Sequence, residues 1–161
     1  MAADRLKIVV FGAFNAGKSS FIQALDPETR HIEAKTDGGT TTIAFDFGRI
    51  QLHGRRVYLF GTPGQERFEF VRRIIARDMD GAIIVVDATA EIDEMTLRLF
   101  EWLSEQRVPV AIVLNKCDMK NAAPERFRGR LGDTMLHAVS AKQGKGVHEA
   151  VSAFVASIVA P

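Results

Sequence analysis

Residues Gly12-Ala13-Phe14-Asn15-Ala16-Gly17-Lys18-Ser19 fit the pattern G-x-x-x-x-G-K-[ST], between an apolar run and an amphipathic one. That placement has a chemical purpose. Glycines let backbone N–H groups wrap phosphate oxygens, and the N-terminus of the following helix adds partial positive charge. Lys18 then reaches the β- and γ-phosphates, and the Ser19 hydroxyl supplies one Mg²⁺ ligand. Asn15, Ala16, Gly17 and the adjoining Ser20 complete the expected phosphate-binding set.

A second constellation, Asn115-Lys116-Cys117-Asp118, follows directly on the apolar run Val110 to Leu114. A carboxylate at Asp118 can accept two N–H donors from a guanine edge. Asn115 can tie this loop to the phosphate loop, and the Lys116 stem can lie along the base plane. Alone, four residues of this kind describe many polar loops; the phosphate loop upstream gives them weight. Ser140-Ala141-Lys142 closes a later apolar run, where the Ala141 N–H can donate to the guanine O6.

These residues need a scaffold, and short apolar runs alternating with amphipathic stretches predict βαβ units with a mainly parallel sheet. Lys7 to Phe11 reads as the first strand and Ser19 to Leu25 as a helix stopped before Pro27. Asp26 to Thr41 is polar and reads as a loop. Thr42 to Leu52 and Arg55 to Phe60 form an antiparallel hairpin through His53-Gly54. The apolar parity switches at Gly48, which suggests a bulge. Ala82 to Val86 and Val108 to Leu114 read as central strands covered on both faces, and Leu136 to Val139 as a last strand. Met95, Leu99, Trp102 and Leu103 lie on one helical stripe, as do Val147, Ala150, Val151, Phe154, Val155 and Ile158. The expected fold is a three-layer α/β domain over 1–161, with six strands, one of them an antiparallel edge strand, and about five helices.

Composition narrows the partners. The 161 residues are 47% hydrophobic and 25% charged, with 21 Lys+Arg against 20 Asp+Glu. A net charge of +1 argues against a dedicated nucleic-acid binder. The single cysteine, Cys117, fits a reducing cytosol and reads as a packed side chain, not a redox centre. No His pairs at metal-ligand spacing, so His31, His53, His137 and His148 read as surface or turn residues. Arg126, Arg128 and Arg130 read as a solvated face. The start shows no leader or myristoylation signal and the end no prenylatable cysteine. The expectation is a cytoplasmic protein without a direct membrane anchor.

Taken together, the chain resembles a Ras-superfamily small GTPase from Leu6 to Val159, with the three motifs in that family's order. Thr42-Ile43-Ala44-Phe45-Asp46-Phe47 resembles a first switch, in which Thr42 coordinates Mg²⁺ and senses the γ-phosphate. Phe60-Gly61-Thr62-Pro63-Gly64-Gln65-Glu66-Arg67-Phe68 resembles a second switch, in which the Gly64 N–H meets the γ-phosphate and Gln65 orients the attacking water. With Lys18 these are the implied catalytic residues. The F-G-T-P-G-Q form is similar to a prokaryotic Ras-like branch that works with Roadblock/LC7-domain partners. The resemblance implies regulation by other chains: an activator, an exchange factor and an effector.

Two departures bear on mechanism. Gly61 stands where the family has an aspartate that holds Mg²⁺ through water, and Asp37 is a candidate substitute. Phe14 is bulky at a spot near the catalytic water. Arg30 and Arg67 are candidates for an activating arginine, each weighed against a solvated surface role. The implied activity is GTP hydrolysis to GDP, unassisted at on the order of 10⁻⁴ to 10⁻² s⁻¹. The alternative is a guanine-nucleotide-binding scaffold or switch with negligible hydrolysis; a P-loop kinase would need a lid the short segments leave no room for.

Overall fold

A computed structural model describes residues 4–13, 15–35, 42–62, 73–127, 129–131 and 135–160. The elements are β1 (Arg5–Gly12), α1 (Lys18–Leu25), β2 (Arg30–Lys35), β3 (Thr42–Leu52), β4 (Arg55–Gly61), β5 (Gly81–Asp87), α2 (Glu94–Glu105), β6 (Val110–Asn115), a 3₁₀ turn (Pro124–Phe127), β7 (Met135–Ala138) and α3 (Val147–Val159). One sheet runs in the order β2-β3-β4-β1-β5-β6-β7.

The α/β fold class stands, with a seventh strand. β2 lies inside the stretch read as loop, pairing antiparallel with β3 from Arg30↔Phe47 to Lys35↔Thr42. Arg-His-Ile-Glu-Ala-Lys carries too little apolar alternation to announce a strand, as suits a polar sheet edge. β1, β4, β5, β6 and β7 pair in parallel. β3 runs against β4 but lies one place in from the edge, because β2 covers it. Arg30 therefore begins a strand and does not sit in a loop.

Alternation along β1 feeds both faces. Ile8 and Val10 join Phe21, Ile22, Val151 and Phe154 beneath α1 and α3. Val9 and Phe11 join Ile84, Leu99, Leu103 and Ile112 beneath α2. All four of these β1 residues have 0% exposure, which makes β1 the spine of a three-layer sandwich. Among the described residues no helix is long and apolar enough to cross a membrane.

The expected bulge at Gly48 is not there. Register runs unbroken from Asp46↔Gly61 through Gly48↔Leu59 to Leu52↔Arg55. The parity switch has a packing cause instead. Phe45 and Phe47 pack with Phe60 on one face, while Leu52 and Ile50 join the opposite core. The strand changes which face it buries as α1 passes over it. His53 and Gly54 both have positive φ, 51° and 74°, the turn geometry that matches hairpin twist.

Candidate nucleotide site

The phosphate loop leaves β1 at Gly12 and enters α1 at Gly17, whose φ of 94° is left-handed. A Cβ on Gly17 would stand 2.4 Å from Asn115 Nδ2, so both conformation and space demand glycine. Among the described residues no side chain caps α1, whose first turn follows directly on the loop. Lys18 is 9% exposed and donates from Nζ to the carbonyls of Gly12 at 2.8 Å and Ala13 at 3.3 Å. Its ammonium is thus held within the loop. Asn15, Ser19 and Ser20 are exposed, and Ala16 is buried.

Asn115 joins the two halves of the site, as its motif predicts. It is 3% exposed; Nδ2 donates to the Ala16 carbonyl at 2.9 Å and Oδ1 accepts the Ala141 N–H at 2.9 Å. The Ala141 amide, expected at the guanine O6, is therefore engaged by Asn115. Asp118 is exposed, and one of its oxygens, Oδ1, accepts from Ser140 Oγ at 2.9 Å. This fixes the carboxylate at the rim. Lys142 is exposed beside it.

Lys116 turns left-handed, φ 67°, and reaches Asp87 at the end of β5, Nζ to Oδ2 at 3.0 Å. Burial alone would raise the Asp87 carboxyl, but two hydrogen bonds from Thr89 and the Lys116 ammonium outweigh it and hold the group below the usual carboxylate range. Cys117 packs as expected, with Sγ 3.2 Å from the Leu114 carbonyl. Burial pushes its thiol up, the opposite of activation. His137 departs from the surface reading: it lies in β7, where burial lowers its pKa.

Sequence reasoning passed over two residues. Asp87 ends a central strand with a carboxylate, a signal that was legible. Asp46 accepts from Ser19 Oγ, Oδ2 at 2.6 Å, and its other oxygen lies 3.1 Å from His31 Nδ1. Its signal was the hairpin register, which places it opposite Gly61. Gly64, Gln65, Arg67, Phe14, Asp37 and the side chain of Thr42 lie outside the described residues.

Comparison with known proteins decides the family. The family model described as 50S ribosome-binding GTPase matches residues 7–116. The chain belongs to that GTPase family. It is a GTP-binding G domain of the P-loop GTPases. The G domain is 33% identical over 119 residues to the protein MJ1339 of Methanocaldococcus jannaschii, covering 74% of this chain and 75% of that one. It is 31% identical to translation initiation factor IF-2 of Rubrobacter xylanophilus over 88% of the chain, but spans only 22% of that factor. Among solved structures, the G domain of the T. maritima FeoB iron transporter superposes with a TM-score of 0.73. The alignment covers 96% of this chain and 98% of that one at 23% identity.

Proposed function

We propose that this G domain is a guanine-nucleotide switch that binds GTP and GDP with Mg²⁺ and hydrolyses GTP slowly. Lys18 and the Gly12 to Ser20 segment hold the phosphates; Lys116, Asp118, Ser140 and Lys142 form the base-binding side, with Asn115 and the Ala141 amide it engages as their frame. The observation that carries the reading is the Asn115 bridge, which locks the phosphate loop and the base loops into one frame. Such a frame favours one nucleotide of fixed length over a loose polyphosphate site.

The donor chemistry at Ser19 fits Mg²⁺. A hydroxyl and a carboxylate, both hard oxygen groups, meet there at 2.6 Å, and Lys18, the preceding residue, would share the phosphate charge. Bound Mg²⁺ supplies charge neutralisation on the phosphates. The residues would do the positioning: Ser19 and Thr42 would hold the metal, the Gly64 N–H would meet the γ-phosphate, and Gln65 would orient the attacking water. Loss of the γ-phosphate would release both switch loops. Regulation is assigned to other chains: an effector, an exchange factor and an activator of the Roadblock/LC7 class, the partner type implied by the F-G-T-P-G-Q motif.

Nucleotide choice tests the core of this reading. The purified protein should bind GDP and GTP at least about 100-fold more tightly than ATP, and Asp118→Ala should erase most of that gap, since a site built on paired hydrogen bonds rejects a ligand that cannot make them. Equal affinity for ATP would overturn it. Single-turnover hydrolysis of wild type against Gln65→Leu then separates a hydrolysing switch from a binding-only one.

A further inference from the structure

The P-loop GTPases hold their metal with the loop's Ser or Thr and with an aspartate at the end of the neighbouring strand. In this chain the strand that would carry that aspartate, β4, ends in Gly61. We propose that Asp46 takes over the task from β3, orienting the Ser19 hydroxyl toward the nucleotide's Mg²⁺; the inference rests on the Mg²⁺–nucleotide reading above.

Three observations support this placement. First, Asp46 is the register partner of Gly61, so its carboxylate starts from the adjacent rung of the same sheet. Second, α1 and Asp46 both pack against the bare face of Gly61. A Cβ on Gly61 would stand 2.7 Å from Ile22 Cδ1 and 3.4 Å from Asp46 Cβ. The tight approach is to the end of the Ile22 side chain, so glycine at 61 lets α1 sit close over the rung that Asp46 occupies. Third, the contact has the right sense. Ser19 Oγ donates its one proton to Asp46 Oδ2 at 2.6 Å, and a hydroxyl has two lone pairs left once that proton is committed. Fixing the rotor turns those lone pairs away from Asp46 and leaves them for a metal ion.

Asp46 is itself held. His31, its register partner on β2, places Nδ1 3.1 Å from Oδ1, and the Asp46 side chain is only 21% exposed. With one oxygen on Ser19 and the other on His31, Asp46 is a positioning residue that acts on the metal through Ser19. A ligand hydroxyl oriented in this way typically gains about 10- to 100-fold in metal affinity.

The test reads metal dependence and not turnover. Wild type, Asp46→Asn and Asp46→Ala are loaded with a fluorescent GDP analogue, and its release rate is followed from EDTA to millimolar Mg²⁺. Both variants should need about 10- to 100-fold more Mg²⁺ to slow release, while their release in EDTA matches wild type. Ser19→Ala should shift the midpoint as well, and adding Asp46→Asn to it should shift it no further, because the two act as one unit. An unchanged midpoint, a release rate raised equally in EDTA, or an additive double variant would each overturn the proposal. A wild type whose release ignores Mg²⁺ would fail the underlying reading instead, so the two failures are distinguishable.

Discussion

Asn115 illustrates how one side chain sets the order of a whole site. Its amide has a donor and an acceptor end, and the fold uses both, one on the phosphate loop and one on the loop after β7. An Asp at 115 would lose the donor to Ala16. Substitution by Ala would leave the Ala16 carbonyl and the Ala141 N–H unpaired in a buried setting. That should cost about 1–3 kcal/mol, read as a lower urea midpoint without nucleotide. GDP affinity should fall with it, since the loops no longer share a frame.

At the scale of elements, α1 decides more than it contains. It crosses β3 and β4 so closely that Ile22 fills the space above two glycines. A Cβ on Gly48 would stand 2.8 Å from Ile22 Cγ2. Gly48→Ala should destabilise the protein by about 1–3 kcal/mol through overpacking. Pairing it with Ile22→Leu, which carries no Cγ2 methyl, should recover much of the loss, a non-additivity that equilibrium unfolding of the single and double variants would measure. The same close crossing brings Ser19, at the start of α1, against Asp46 on β3. Moving the helix outward to admit larger side chains would weaken the Ser19 to Asp46 hydrogen bond.

The whole molecule is a sheet whose site-forming loops leave β1, β6 and β7, strands far apart in sequence. A nucleotide bound between them favours only the folded arrangement. GDP at 100 times its dissociation constant should therefore add about 2.7 kcal/mol to stability. For a domain of this size that raises the melting temperature by roughly 5–10 °C, measurable by differential scanning fluorimetry. ATP at the same concentration should raise it by no more than about 2 °C.

Much of this was legible in the chain itself. Gly12 to Ser19, Asn115 to Asp118 and Ser140 to Lys142 announce their chemistry because phosphate and guanine recognition need particular atoms at fixed spacing along the backbone. The strands β1, β5 and β6 announce themselves because burial on both faces demands unbroken apolar runs. The hairpin register could be counted from His53-Gly54. What the sequence did not show is whatever depends on pairing across space. β2 is a strand because β3 offers it a hydrogen-bonding edge, not because its own residues insist on it. Gly48 looked like a bulge until the position of α1 explained it as a clearance. Asp46 was one more polar residue in a strand until the fold set it beside Ser19 and across from Gly61. Local chemistry is written in spacing along the chain, but which carboxylate serves which hydroxyl is decided by where a helix crosses a sheet.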